Sequence, residues 1–194
     1  ASGPIVVTGA SGYIGAWIVR DCVERGYDVR ACVRDTSNAS KTDHLLQLNG
    51  SKYRGNVTLF EADLFQPGSY DTAFNGAAAV IHAGATVGFN RETPQEVYDG
   101  CFKENAHVIE SVKKSGSVSR FVFTSSFAAV GHPRSEGYVF TEKDWCGDNV
   151  EAYKGRWSEE QIPLNRDIAY AMAKANTEKL IYEEATTDGS FEAM

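Results

Sequence analysis

Tyr170 and Lys174 stand four residues apart in a segment patterned as a helix, a spacing that puts a phenol and an ammonium on one face within interaction range. A phenol titrates at about 10, so a tyrosine serves as an acid-base group near neutrality only where positive charge favours its phenolate, and Lys174 is placed to supply that charge. Alone, the string YxxxK is common, and an exposed tyrosine beside a solvated lysine is its bland reading. The upstream run Thr124-Ser125-Ser126 adds weight. It closes a predicted strand, and ligands of parallel α/β folds bind at the carboxyl edge of the sheet, where a serine hydroxyl can hold a substrate carbonyl.

A second chemical signal lies near the start. Gly9-Ala10-Ser11-Gly12-Tyr13-Ile14-Gly15 directly follows an apolar strand and directly opens a helix. In that arrangement bare backbone approaches a pyrophosphate, and helix N-terminal N–H groups meet its charge. The spacing is GxxGxxG: Gly9 and Gly12 permit the approach, and Gly15 lets the helix pack on the strand. Gly9, Ser11, Gly12, Tyr13, Ile14 and Gly15 are therefore expected to line a dinucleotide; the competing reading is a glycine-rich turn that binds nothing. Arg34 ends the second predicted strand, where the adenosine ribose would arrive. A guanidinium there can pair with a 2′-phosphate, with Lys41 as a second positive group, which favours NADP(H) over NAD(H). The opposite reading gives Asp35 the ribose 2′-hydroxyl and selects NAD.

The elements that must position these groups alternate as βαβ units, the pattern of a doubly wound parallel sheet with helices on both faces. Strands are predicted at Ile5–Val7, Asp28–Val33, Val57–Glu61, Ala77–His82 and Arg120–Thr124. The helix after the glycine turn has Ile14, Ile18 and Cys22 on one face and stops at Gly26. Residues 36–56 hold a helix around Leu45, Leu46 and Leu48, Gln95–Lys114 forms a long helix, and the YxxxK helix runs from Asp167 to about Ala185. Thr186–Gly189 is expected as its exit loop, with a sixth strand beginning in Ser190–Met194. From Gly131 to Asn165 the pattern breaks into charged and aromatic residues, a length of loop that is usually functional or partly structured.

With 194 residues, 42% of them apolar, the chain suits one compact domain with a buried core. Nineteen basic against 26 acidic residues leave a net charge of -7, which gives a phosphate-tracking surface for nucleic acid no support. No apolar run reaches the roughly 20 residues of a membrane span and no basic-then-apolar leader opens the sequence, so a cytoplasmic protein is expected; a processed organelle-targeting peptide would leave no trace. Cys22, Cys32, Cys101 and Cys146 are scattered, as are the four histidines, so neither a disulfide framework nor a metal is expected.

Thr8 to Gly15, Val33-Arg34-Asp35, Ala62-Asp63-Leu64, His82-Ala83-Gly84-Ala85, Asn105, Phe123 to Ser126 and Tyr170 to Lys174 follow one another in a familiar order. In them the chain resembles the extended short-chain dehydrogenase/reductase family, and within it the dihydroflavonol reductase, cinnamoyl-CoA reductase and carbonyl reductase group, over nearly its whole length. The resemblance implies that Ser126 is the catalytic serine, that Tyr170 is the proton donor and that Lys174 binds the nicotinamide ribose. It gives Asn105 a place in a proton relay, Thr124 and Ser125 places along the cofactor, Asp63 and Leu64 contacts to the adenine, and Ala83, Gly84 and Ala85 contacts along the dinucleotide. Thr141 to Trp145 also resembles the group, whereas the acidic insert Gly147–Asn165, which would border the substrate pocket, is long for it.

The activity so implied is reversible reduction of an aldehyde or ketone, with hydride from NADPH, a proton from Tyr170 and Ser126 steadying the oxygen. Two rivals stand: a nucleotide-sugar epimerase or dehydratase of the same family, and a non-catalytic dinucleotide-binding subunit of an assembly. Family members continue into a small C-terminal substrate domain. Residues 1–194 are therefore expected to be the Rossmann-fold cofactor portion, truncated before that domain, with the missing segment or a partner covering the exposed sheet edge.

Overall fold

The computed structural model describes residues 3–50, 52–85, 93–131, 135–146 and 165–194. Six strands, β1 (Ile5–Thr8), β2 (Val29–Val33), β3 (Val57–Glu61), β4 (Ala79–His82), β5 (Arg120–Phe123) and β6 (Glu192–Ala193), form one parallel sheet in the order β3-β2-β1-β4-β5-β6. Val6, Val7, Val29, Ala31, Val33 and Val80 are buried, as strands of a parallel sheet with both faces covered require. Register pairs Thr8 with His82, so the carboxyl ends of β1 and β4 lie side by side. Between them the strand order reverses, and doubly wound sheets bind ligands at that crevice.

The helices are α1 (Tyr13–Glu24), α2 (Ala39–Leu46), α3 (Asp71–Phe74), α4 (Pro94–Ser115) and α5 (Arg166–Asp188), with one 3-10 turn over Phe127–Ala129. The chain divides into two compact units. One holds residues through Ala85, His107–Thr124 and Tyr182–Met194, hence the whole sheet, α1 to α3 and the C-terminal ends of α4 and α5; its core joins Val7, Val19, Val23, Ala31 and Leu45. The other holds Thr86–Ala106 and Ser125–Ile181, and in it α4 and α5 meet through Val97, Cys101, Ala169 and Ala173.

Two local expectations are corrected. On α1 the fully buried residues are Gly15, Val19, Cys22 and Val23; of Ile14, Ile18 and Cys22, Cys22 is buried and Ile18 packs at the margin of the core, whereas Ile14 is 55% exposed. Gly15 decides this, because the residue without a side chain is the one that can lie against the preceding turn, which rotates Ile14 outward. Likewise α5 does not end in an exit loop at Thr186. It runs through Asp188, with Thr186 Oγ1 donating to the Tyr182 carbonyl at 2.7 Å, and Gly189 at φ 63° stops it. The short α3 carries no periodic signal in four residues. All four cysteines are buried thiols. No helix of the described residues is long and apolar enough to cross a membrane. Most of the acidic insert, residues 147–164, lies outside the described residues.

Candidate active site

In the sheet-bearing unit, β1 runs straight into Gly9, whose φ of 62° suits only glycine without strain. A Cβ on Gly9 would stand 2.6 Å from Gly84 Cα, and one on Gly15 would stand 2.2 Å from the Gly9 carbonyl oxygen. These two glycines therefore serve packing: the turn on the loop after β4, and α1 on the turn. Gly12 differs, being exposed with only the Gly9 oxygen, at 3.2 Å, near its absent Cβ. It caps α1 without a side chain, and no acidic residue lies in the first turn. The orphan N–H groups and the positive dipole end at the start of α1 are thus left for an anion, which fits a dinucleotide pyrophosphate. Ser11 is half-buried, while Tyr13 and Ile14 are exposed.

Beneath the turn, buried Thr8 ties the crevice together. Its Oγ1 accepts from the Gly84 N–H at 3.1 Å and shares a 2.5 Å hydrogen bond with Nδ1 of buried His82. His82 in turn lies against the rings of Phe121 and Phe123. Thr8 and His82 are outside the expected site residues, although the signal is in the sequence: each is a polar residue ending an apolar strand, and the two strands are neighbours. Leu64 Cδ1 reaches within 3.5 Å of where a Gly84 Cβ would lie, and the Leu64 carbonyl accepts from His107 Nδ1 at 3.1 Å. Asp63 shapes the same loop, its Oδ1 accepting from the Phe65 N–H at 3.0 Å. Gly9, Leu64 and Gly84 therefore converge, flanked in sequence by Asp63, Ala83 and Ala85, while the Thr124 N–H donates to the His82 carbonyl at 3.0 Å.

Arg34 follows β2 and Lys41 lies in the first turn of α2; both are exposed, and neither makes an ion pair among the described residues. Asp35 is engaged locally. Its Oδ1 accepts from the Ser37 hydroxyl at 2.6 Å and the Ser37 N–H at 2.8 Å, and these bonds hold its carboxyl below the usual range.

The other unit carries Asn105, Ser125, Ser126, Tyr170 and Lys174. Ala169 and Ala173 of α5 are small enough for close approach to Val97 and Cys101 of α4, with Tyr98 and Tyr170 packed at the margin. Lys174 is 2% exposed, and burial pushes its ammonium below the ordinary lysine range, opposed by Cys101, Glu178 and Glu104. Tyr170 is half-buried, and its hydroxyl makes no hydrogen bond among the described residues. Buried Asn105 donates from Nδ2 to the Cys101 carbonyl one turn back. Ser126 has an extended backbone and caps the 3-10 turn, its Oγ accepting from the Ala128 N–H at 3.2 Å. That bond uses the oxygen and leaves the hydroxyl proton to be donated. Ser125 Oγ is buried and without a hydrogen-bond partner among the described residues.

A parallel sheet whose order reverses at a glycine turn places the protein in the doubly wound α/β class, as expected. The model of the NAD dependent epimerase/dehydratase family matches residues 5–191, and the chain belongs to that family. It is 38% identical over 181 residues to cinnamoyl-CoA reductase CAD2 of Medicago truncatula, covering 89% of this chain and 53% of that protein. It is 42% identical over 142 residues to dihydroflavonol 4-reductase of Arabidopsis thaliana, covering 73% of this chain and 37% of that protein. Vestitone reductase from alfalfa (Medicago sativa L.) matches the whole chain over 55% of its own, with a TM-score of 0.74 at 25% identity. Gre2 from Candida albicans in complex with NADPH shares the fold, with a TM-score of 0.76 at 24% identity over 98% of this chain and 55% of that one. The resemblance drawn from the motifs thus falls in the right group, and the chain spans about half or less of the length of these relatives.

Proposed function

We propose that the protein is an NADPH-dependent carbonyl reductase, of which this chain supplies the cofactor-binding and proton-donating parts. The observation that carries this reading is a lysine ammonium 2% exposed on the same helix face as a half-buried tyrosine. Burying a charge costs free energy that a surface lysine avoids, and a neighbouring phenol that must give up a proton is a use for it.

When bound, NADPH supplies the hydride. Tyr170 gives its proton to the carbonyl oxygen, and Lys174 favours the phenolate left behind. Ser126 donates its hydroxyl proton to the same oxygen, oriented by the bond it accepts from the Ala128 N–H. Asn105 takes part in proton relay from α4. Gly9, Ser11, Gly12, Tyr13, Ile14 and Gly15 hold the pyrophosphate region, with Asp63 and Leu64 towards the adenine and Ala83, Gly84, Ala85, Thr124 and Ser125 further along. Arg34 and Lys41 meet the 2′-phosphate. The engagement of Asp35 by Ser37 supports this choice over a ribose contact from Asp35. The substrate is a small aldehyde or ketone, and further chain or a partner covers the sheet edge beside β6.

Titration of NADPH and NADH into wild type and Arg34→Ala tests the cofactor assignment. The variant is expected to lose about tenfold or more in NADPH affinity, the size of one charge-assisted contact, with NADH unchanged. Equal loss for both removes the 2′-phosphate contact. NADPH consumption with a panel of aldehydes and ketones tests the activity, and binding without consumption of any of them favours a non-catalytic subunit instead.

A further inference from the structure

Two buried groups of opposite charge lie along the seam between α4 and α5. On α4, Val97, Cys101 and Glu104 follow at spacings of four and three, so the apolar stripe is continued by a glutamate that is 2% exposed. On α5, Ala169 and Ala173 pack against Val97 and Cys101, and Lys174, also 2% exposed, comes next. An apolar side chain would fit such a stripe at no electrostatic cost. A glutamate or lysine is almost never fully buried without a partner, because either charge loses its hydration on leaving water.

The titratable groups acting on Lys174 are, largest first, Cys101 of α4, Glu178 one turn further along α5 and Glu104 of α4; Tyr170 lies one turn back on the same helix. A thiol is neutral near pH 7, so Cys101 supplies no standing charge. Glu178 is only partly buried, and water screens it. Glu104 is the carboxylate held away from water. We propose that Glu104 is the buried counter-charge of Lys174, a positioning residue that keeps the ammonium charged and fixed on the face it shares with Tyr170. Its consequence for catalysis rests on the reductase reading; the pairing itself does not.

The pairing is tested by a double-mutant cycle in the intact protein, using Glu104→Gln, Lys174→Met and the two together, with the urea midpoint at neutral pH as readout. Each single change strands the opposite charge and lowers the midpoint, whereas the double variant is expected to recover most of the loss. Strict additivity overturns the proposal, and so does coupling of Lys174→Met to Glu178→Gln that equals or exceeds its coupling to Glu104→Gln. Should a single variant not fold, NMR titration of the Lys174 side chain in wild type decides: a proton retained at neutral pH agrees with the pairing, and a neutral amine refutes it. In active enzyme, Glu104→Gln is expected to move the alkaline fall of kcat about one pH unit lower, and Glu104→Asp to restore it. A purely structural Glu104 would leave that profile in place. An inactive protein sinks the reductase reading alone, since the stability cycle and the titration still judge the pair.

Discussion

Lys174 makes the residue-scale account testable without any substrate. Because burial lowers its affinity for a proton in the folded state, the unfolded chain binds more protons between that lowered value and the ordinary 10.5. Stability therefore rises with pH across the window. Measured against Lys174→Met, wild type is expected to gain stability as the pH rises from the lowered value towards the ordinary 10.5, and a pH-independent difference would mean that the lysine is solvated. Thr8 gives a second residue-scale outcome. Thr8→Val keeps the shape but strands the Gly84 N–H and His82 Nδ1, and should cost about 1–3 kcal/mol in urea unfolding. Spacing and residue type singled out Tyr170, Lys174 and Arg34 as candidates in the sequence, and the family resemblance singled out Ser126. Thr8 and His82 show in the sequence as polar ends of apolar strands, but their pairing, like the burial of Glu104, depends on which strand or helix lies alongside.

Among the elements, the glycine turn separates two roles that its string of letters merges. Gly15→Ala brings a methyl to 2.2 Å from the Gly9 oxygen, so α1 must shift off the turn; a loss of about 1–3 kcal/mol is expected, along with dinucleotide binding. Gly12→Ala meets the same oxygen at 3.2 Å and needs only a small adjustment, so urea unfolding should change little while NADPH binding falls, the methyl standing where the backbone was bare. Equal destabilisation by both would erase the distinction. The same geometry explains why periodicity found α1 but misplaced Ile14: apolar spacing outweighed a glycine whose value is that it fills no space. At the other end of the chain, Thr186 and Thr187 read as loop formers, yet both lie in α5, where the Thr186 hydroxyl bonds back to the Tyr182 carbonyl.

For the molecule as a whole, the parallel sheet follows from alternating apolar runs and helical stretches, which is why the fold class was readable without coordinates. The division into two units was not, because α4 and α5 each pass from one into the other, and a continuous helical pattern carries no mark of that crossing. Acid stability is shared between several carboxylates, among them Asp71, which accepts from Lys114 and from Ser111 Oγ at 2.8 Å. Those bonds hold its carboxyl below the usual range. Their contribution is present above the ordinary aspartate value of about 4 and is lost as pH falls through the lowered one, so Asp71→Asn should blunt the acid dependence of unfolding. The central claim is that this fold uses Tyr170 to protonate a carbonyl under a bound NADPH. It is tested most directly by following NADPH consumption and NADPH affinity together in wild type and Tyr170→Phe. The account predicts that reduction falls by about a hundredfold or more while affinity is kept, and a Tyr170→Phe protein reducing carbonyls at the wild-type rate would contradict it.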